Sequence, residues 1–141
     1  MNEDLRQKAI VLEMYNQQLQ MLQSELASIR TLRSEIEKSI KTLENINVDS
    51  ETLIPVGPGV FLKAKVIDDK ALIGVKSDIY VEKSFNEVVE DLKKSIEDLN
   101  KAEKESMKKV EELVKIISAL KKDLQESIQK TQEKNIEDNK T

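Results

Sequence analysis

Apolar residues recur along this chain with a period of seven over two long stretches. In the first, Leu5 opens a heptad whose a positions are Leu5, Leu12, Leu19, Leu26, Arg33 and Ile40. Its d positions are Lys8, Tyr15, Leu22, Ile29, Ile36 and Leu43. Ten of these twelve positions are apolar, and neither Gly nor Pro interrupts them. A seam sustained over about six heptads predicts a coiled-coil helix, over residues 2–47. Asn2 suits its N-cap, and Glu3 and Asp4 suit the positive end of the helix dipole. Asn45, Asn47, Asp49 and Ser50 end the pattern.

The second stretch begins at Ser84, which stands three residues before Glu87 in the spacing of a capping box. Its a positions are Val89, Ile96, Glu103, Val110, Ile117, Leu124 and Thr131; its d positions are Phe85, Leu92, Leu99, Ser106, Leu113, Leu120 and Ser127. The seam weakens at Glu103 and Ser106, where Ala102 and Met107 are expected to carry the packing. Pairs such as Glu97 with Lys101 and Glu126 with Lys130 add a few tenths of a kcal/mol each. This predicts a helix over 84–132, followed by a frayed polar tail over 133–141.

Residues 51–83 between the helices have a different period. They hold all three glycines and both prolines, and β-branched residues alternate with others. Val60, Leu62, Ala64 and Val66 share one face of a strand. Asp68-Asp69 reads as a tight turn, Ala71, Ile73 and Val75 resume the alternation, and Ser77-Asp78 makes a further turn before Ile79, Tyr80 and Val81. With residues 52–56 added, the pattern predicts four strands in two β-hairpins. A compact insert reverses the chain, so the second helix returns along the first. Each helix would span roughly 65–70 Å.

Composition adjusts this picture. Charged residues make up 35% of the 141, aromatic residues only 3%, and there is no Trp, Cys or His. Little aromatic bulk argues against a compact globular core, and the heptads argue for exposed helices over disorder. The net charge of −4 comes from interspersed acids and lysines, with no basic block of the kind that neutralises phosphates, so nucleic acid is not an expected partner. No apolar run approaches the roughly 20 residues of a membrane span, and MNEDLRQ is unlike a signal peptide. A cytoplasmic location is the default expectation.

Catalysis would have to rest on carboxylates, Lys, Ser or Tyr. The acids sit at spacings that solvate helix faces, and Asp68-Asp69 suits a turn better than a metal pair. GPG at Gly57 to Gly59 lacks the Lys-Ser/Thr that follows in a phosphate-binding loop. No catalytic residue, metal or cofactor is expected.

Two hairpins alone are marginal in water and leave unpaired edges. The insert should therefore combine with hairpins of other subunits in a shared β platform, with Val60, Leu62, Val66, Ile73, Val75, Ile79 and Val81 as the candidate assembly residues. Some apolar residues also lie off the seams. Ile10, Met14 and Met21 line an outer stripe that Val11 widens, and Leu124 and Ile128 lie on the opposing end of the second helix. A Met-containing surface adapts to varied apolar partners. Single exposed apolar residues are also ordinary, and such a stripe equally suits packing on a neighbouring subunit.

The order helix, LIPVGPGVFLKAKV, ALIGVKSDIYVEKS, helix resembles the alpha class of archaeal-type prefoldin over nearly the whole chain. The most specific piece is Leu53-Ile54-Pro55-Val56-Gly57 leading into Val60-Phe61-Leu62-Lys63-Ala64. Two hairpins point to the alpha class, since the beta class carries one. The family often has Gly in the second turn, where this chain has Ser77-Asp78. The resemblance implies a mainly α fold: a long antiparallel coiled-coil hairpin whose two β-hairpins assemble into an oligomeric β platform. It implies one prefoldin-like domain over 1–141, and a hexamer of two alpha-class and four beta-class subunits. It further implies an ATP-independent chaperone that holds unfolded client proteins at the coiled-coil tips, with Ile10, Val11, Met14 and Met21 touching client and Leu124 and Ile128 assisting. Delivery to a group II chaperonin would follow. The alternative is a coiled-coil structural or filament-forming prefoldin-like scaffold, since non-closing platform contacts give filaments.

Overall fold

A computed structural model describes residues 3–140. The elements run α1 (Glu3–Asn45), β1 (Glu51–Gly57), β2 (Val60–Lys65), β3 (Lys70–Lys76), β4 (Ile79–Ser84) and α2 (Phe85–Lys140). The chain divides into two compact units. One takes the chain up to Arg30 and from Lys101 onward; the other is Thr31–Asn100.

In the first unit the halves of α1 and α2 run antiparallel. Lys8, near the start of α1, contacts Asp123 and Ser127 of α2, while Arg30 contacts Glu103. The second unit shows the same direction, with Arg33 bonded to Asn100 and Glu44 paired to Lys93. Burial follows the heptads. Every a and d position named above is buried or half-buried in both helices, Arg33 and Lys8 included. Leu5, Leu26, Ile29 and Ile40 are buried in α1, and Val89, Leu113 and Ile117 in α2. Asn2 lies outside the described residues.

The seam does not shift where its apolar pattern lapses. Ser106 is 5% exposed, whereas Met107 is 44% exposed and carries no seam packing. A small hydroxyl fits between the helices at a d position. Glu103 stays in register because Arg30 Nε donates to its Oε2 at 3.0 Å, so this seam carboxylate is compensated. Arg33 likewise donates from Nη1 to Asn100 Oδ1 at 2.9 Å. Polar seam groups of this kind cost some stability and fix register, because sliding a helix would strand them.

The polar tail differs from expectation as well. Residues 133–140 continue α2 as helix. Two Glu and two Lys stand there, and both residue types lose little side-chain freedom in a helix. Neither Gly nor Pro stops the chain, and Lys140 suits the helix C-terminus. At its other end α2 is capped as predicted, one residue later: the Ser84 hydroxyl accepts from the Glu87 backbone N–H at 3.2 Å. α1 closes at Asn45, where the Asn45 side chain donates to the Lys41 carbonyl and the Thr42 hydroxyl to that of Lys38. The Ile46 backbone N–H donates to the Thr42 carbonyl at 2.9 Å, satisfying one of the carbonyls that the last turn would leave open.

The insert forms two separate antiparallel hairpins, β1–β2 and β3–β4. They are built alike, 19 residues apart. Leu53-Ile54-Pro55-Val56 matches Leu72-Ile73-Gly74-Val75, and Val60-Phe61-Leu62 matches Ile79-Tyr80-Val81. The register slips at the same place in each, between Pro55 and Gly57 and between Gly74 and Lys76. Each turn ends on a left-handed residue, Gly59 (φ 71°) or Asp78 (φ 65°). Asp tolerates that region better than most side chains, which explains how the second turn dispenses with glycine. Asp68-Asp69 makes the bend that joins the two hairpins, where Asp68 Oδ1 accepts from the Lys70 N–H. The entry and exit of the second hairpin are tied by the Phe85 N–H donating to the Asp69 carbonyl at 2.7 Å.

An ion pair fastens β4 to α2. Lys83 Nζ and Asp91 Oδ2 lie 2.7 Å apart, each side chain about one-third exposed. Their hydrogen bond raises the Lys83 ammonium above the usual lysine value and holds the Asp91 carboxyl below the usual carboxylate value. The Asp91 contribution is complete above the unfolded carboxylate pKa of about 3.9 and is lost as pH falls through the lower folded value. The Lys83 contribution is complete below about 10.4 and is lost as pH rises through the higher folded value. Asp91→Asn should therefore lower stability at neutral pH, and the difference from the native chain should shrink toward pH 2. Denaturant titrations at both pH values check this; an equal difference at both would deny the pair its charge dependence.

Candidate functional site: apolar surfaces on the coiled coil and hairpins

The first surface lies on the outer face of α1. Ile10 and Met14 are each 56% exposed and Met21 73%, and Val11 is exposed beside them. On a helix, residues three, four and seven apart share a face, so these side chains form one strip. Two shallow grooves run along it. One is lined by Val11, Met14, Tyr15 and Gln18, and the next by Gln18, Met21, Leu22, Glu25 and Leu113. Tyr15, Leu22 and Leu113 are seam residues, so the seam's edge forms the floor. Lys8 stands near the start of this helix, pairing with Asp123 at 3.1 Å and Asp4 at 3.5 Å and donating to Ser127 Oγ at 2.8 Å. The Asp123 hydrogen bond raises its ammonium above the usual lysine value, keeping the charge on a seam position.

The structure separates the two α2 residues expected to join this surface. Ile128 is exposed, whereas Leu124 is half-buried at its a position and serves the seam. Met107 and Val114 are exposed at seven-residue intervals on the same α2 face as Ile128. Their position one residue past successive d positions is the signal that would have found them.

The second surface belongs to the hairpins. Of the seven candidate assembly residues, Val60, Leu62, Val75 and Ile79 are exposed, and Val66, Ile73 and Val81 are half-buried. The equivalent hairpin positions are thus used differently. In the second hairpin Ile73 faces a cleft shared with Leu43 of α1 and with Val88 and Leu92 of α2. In the first hairpin the matching Ile54 and its cross-strand partner Leu62 are open. The opposite faces carry exposed apolar residues that the alternation did not single out: Leu53, Phe61, Leu72 and Tyr80. Aligning LIPVGPGVFL with LIGVKSDIYV reveals them as matched pairs.

Among the described residues no three His, Cys, Asp or Glu are grouped to hold a metal ion. No described helix is long and apolar enough to cross a membrane. What the geometry offers is extended, adaptable apolar contact.

These features define the class: an antiparallel coiled-coil protein with paired β-hairpins between its helices. The chain matches the family model described as "Prefoldin subunit" over residues 15–130. It is 77% identical over 133 residues to prefoldin subunit alpha 1 of Methanocaldococcus jannaschii, covering 94% of each chain. It is 45% identical over 130 residues to prefoldin subunit alpha of Methanococcus aeolicus, covering 92% of this chain and 90% of that one. Its fold is similar to a crystal structure of the prefoldin beta subunit from Thermococcus strain KS-1, at a TM-score of 0.63 and 18% identity, covering 89% of this chain and 93% of that one. The chain belongs to the prefoldin family, in its archaeal alpha class, and is a prefoldin chaperone subunit.

Proposed function

We propose that the chain works as one prefoldin-like domain that holds non-native proteins without ATP and performs no catalysis. Ile10, Val11, Met14 and Met21 make the grip, on the N-terminal half of α1, with Ile128 assisting. Leu124 contributes by holding the helices together. The hairpins, through Val60, Leu62, Val66, Ile73, Val75, Ile79 and Val81, join two copies of the chain to four beta-class subunits in the cytoplasm. The loaded hexamer passes its client to a group II chaperonin.

The observation that carries this reading is the exposed stripe of Ile10, Met14 and Met21. Apolar side chains this open gain by covering a client's apolar surface, at about 25 cal/mol per Å² removed from water. The flexible thioethers of Met14 and Met21 adjust to varied shapes. The hairpins support the assembly half of the reading, since two-stranded sheets with free edges and open apolar faces are stabilised by further strands.

The test is suppression of aggregation of a denatured client by the chain assembled with a beta-class partner. Changing Ile10, Met14 and Met21 together to Ser should weaken client capture about a hundredfold, on roughly 1 kcal/mol lost per side chain, with the oligomer's mass unchanged. No protection by the native assembly at stoichiometric amounts would refute the holding role in favour of a structural scaffold. Loss of the oligomer in the triple variant would assign the stripe to subunit packing.

A further inference from the structure

The face of α1 that bears the grip has an unusual charge content. Residues 9–29 contain no Lys or Arg, and their only charged side chains are Glu13 and Glu25, in a protein whose residues are 35% charged. Gln17, Gln18, Gln20 and Gln23 occupy exposed positions that elsewhere on the helices hold ions. No cation lines the grooves beside Met14 and Met21, and the one formal charge in that lining is the Glu25 carboxylate. Glu25 follows Met21 by four residues. Glu13 follows Ile10 by three and adjoins Met14. Glu25 therefore lies past the Met21 end of the stripe, and Glu13 lies beside the stripe between Ile10 and Met14. Both are exposed, and neither is in an ion pair with another described residue of the chain. Their twelve-residue separation is about 18 Å along the helix axis, which five or six residues of extended chain cover.

We propose that this face selects non-native segments whose apolar residues are flanked by Lys or Arg, with Glu13 and Glu25 meeting the flanking cations. The proposal rests on the stripe being the client grip. Apolar contact supplies most of the affinity and the carboxylates supply a preference. Each exposed pair is worth a factor of about 1.5–5. A segment with acidic flanks is disfavoured twice, by the missing attraction and by repulsion. Salt weakens both effects, because the screening length is about 8 Å at physiological ionic strength.

The experiment measures binding of two fluorescent peptides to the full chain assembled with its beta-class partner. Both peptides share one five-residue Leu/Ile core; one carries Lys flanks and the other Glu flanks. The Lys-flanked peptide should bind about three- to tenfold more tightly at low salt, with the ratio narrowing as salt rises. The double variant E13Q/E25Q should bring the ratio close to one while the oligomer's mass stays constant. Equal binding of the two peptides, or a ratio that survives the double substitution, would overturn the selection and leave the grip standing. Failure of both peptides to bind, with the Ile10, Met14 and Met21 variant behaving as the native chain, would overturn the grip itself. A change of oligomer mass on E13Q/E25Q would mean that a second copy covers this face, and would overturn the proposal.

Discussion

Replacing Ile117 by Ala lowers unfolding stability by about 2–4 kcal/mol, and the same change at Ile116 costs less than about 1 kcal/mol. The two residues are neighbours of one type in one helix, so propensity and backbone effects are common to both. Their surroundings differ. Ile117 is 6% exposed in the seam, whereas Ile116 is 39% exposed. Truncating Ile117 removes three buried carbon atoms and leaves a gap that the facing helix cannot close without moving its own seam residues. Truncating Ile116 returns surface to water that already reached much of it. Urea unfolding followed by helical circular dichroism gives both values. The Ile117→Ala midpoint should fall with the denaturant slope unchanged. Equal losses at the two positions would mean that the seam is not the source of stability here.

Val60→Asp with Leu62→Asp should disrupt assembly through the first hairpin and leave the coiled coil intact. Both residues are exposed in the isolated chain, so a carboxylate at either position stays hydrated and costs little there. Within a subunit interface the same carboxylates would be buried without partners. That costs several kcal/mol and corresponds to a loss of roughly a hundredfold or more in association. Sedimentation should report smaller species with an unchanged helical signal. Ile73→Asp should act differently, because Ile73 is already half-buried beside the helices. It should lower the melting temperature of the chain itself. If the double variant assembles as the native chain does, the open face of the first hairpin is not a subunit contact.

The contrast between Ile73 and its equivalent Ile54 shows where reading the sequence stops. Alternation places both on corresponding faces of matched hairpins, and the pattern is correct in each. Which face meets the helices depends on how the chain leaves Asp69 and enters Phe85, a matter of backbone path rather than side-chain order. Leu124 and Ile128 make the same point within α2. Both are apolar and four residues apart, yet the seam claims one and leaves the other open.

Heptad spacing alone determined the two helices and their seams, because burial along a coiled coil is set by a local period. The capping serine, the four strands and the outer stripe of Ile10, Met14 and Met21 were legible for the same reason: each depends on residues a few positions apart. The tertiary structure decided what depends on residues far apart in the chain. Arg30 reaching Glu103 keeps the seam in register through its polar stretch. The helices' facing surfaces leave Met107 exposed while Ser106 is buried. The path of the insert leaves one hairpin face open and half-covers the matching face of the other. A seven-residue period states which side of a helix is buried. Only the position of its partner states against what.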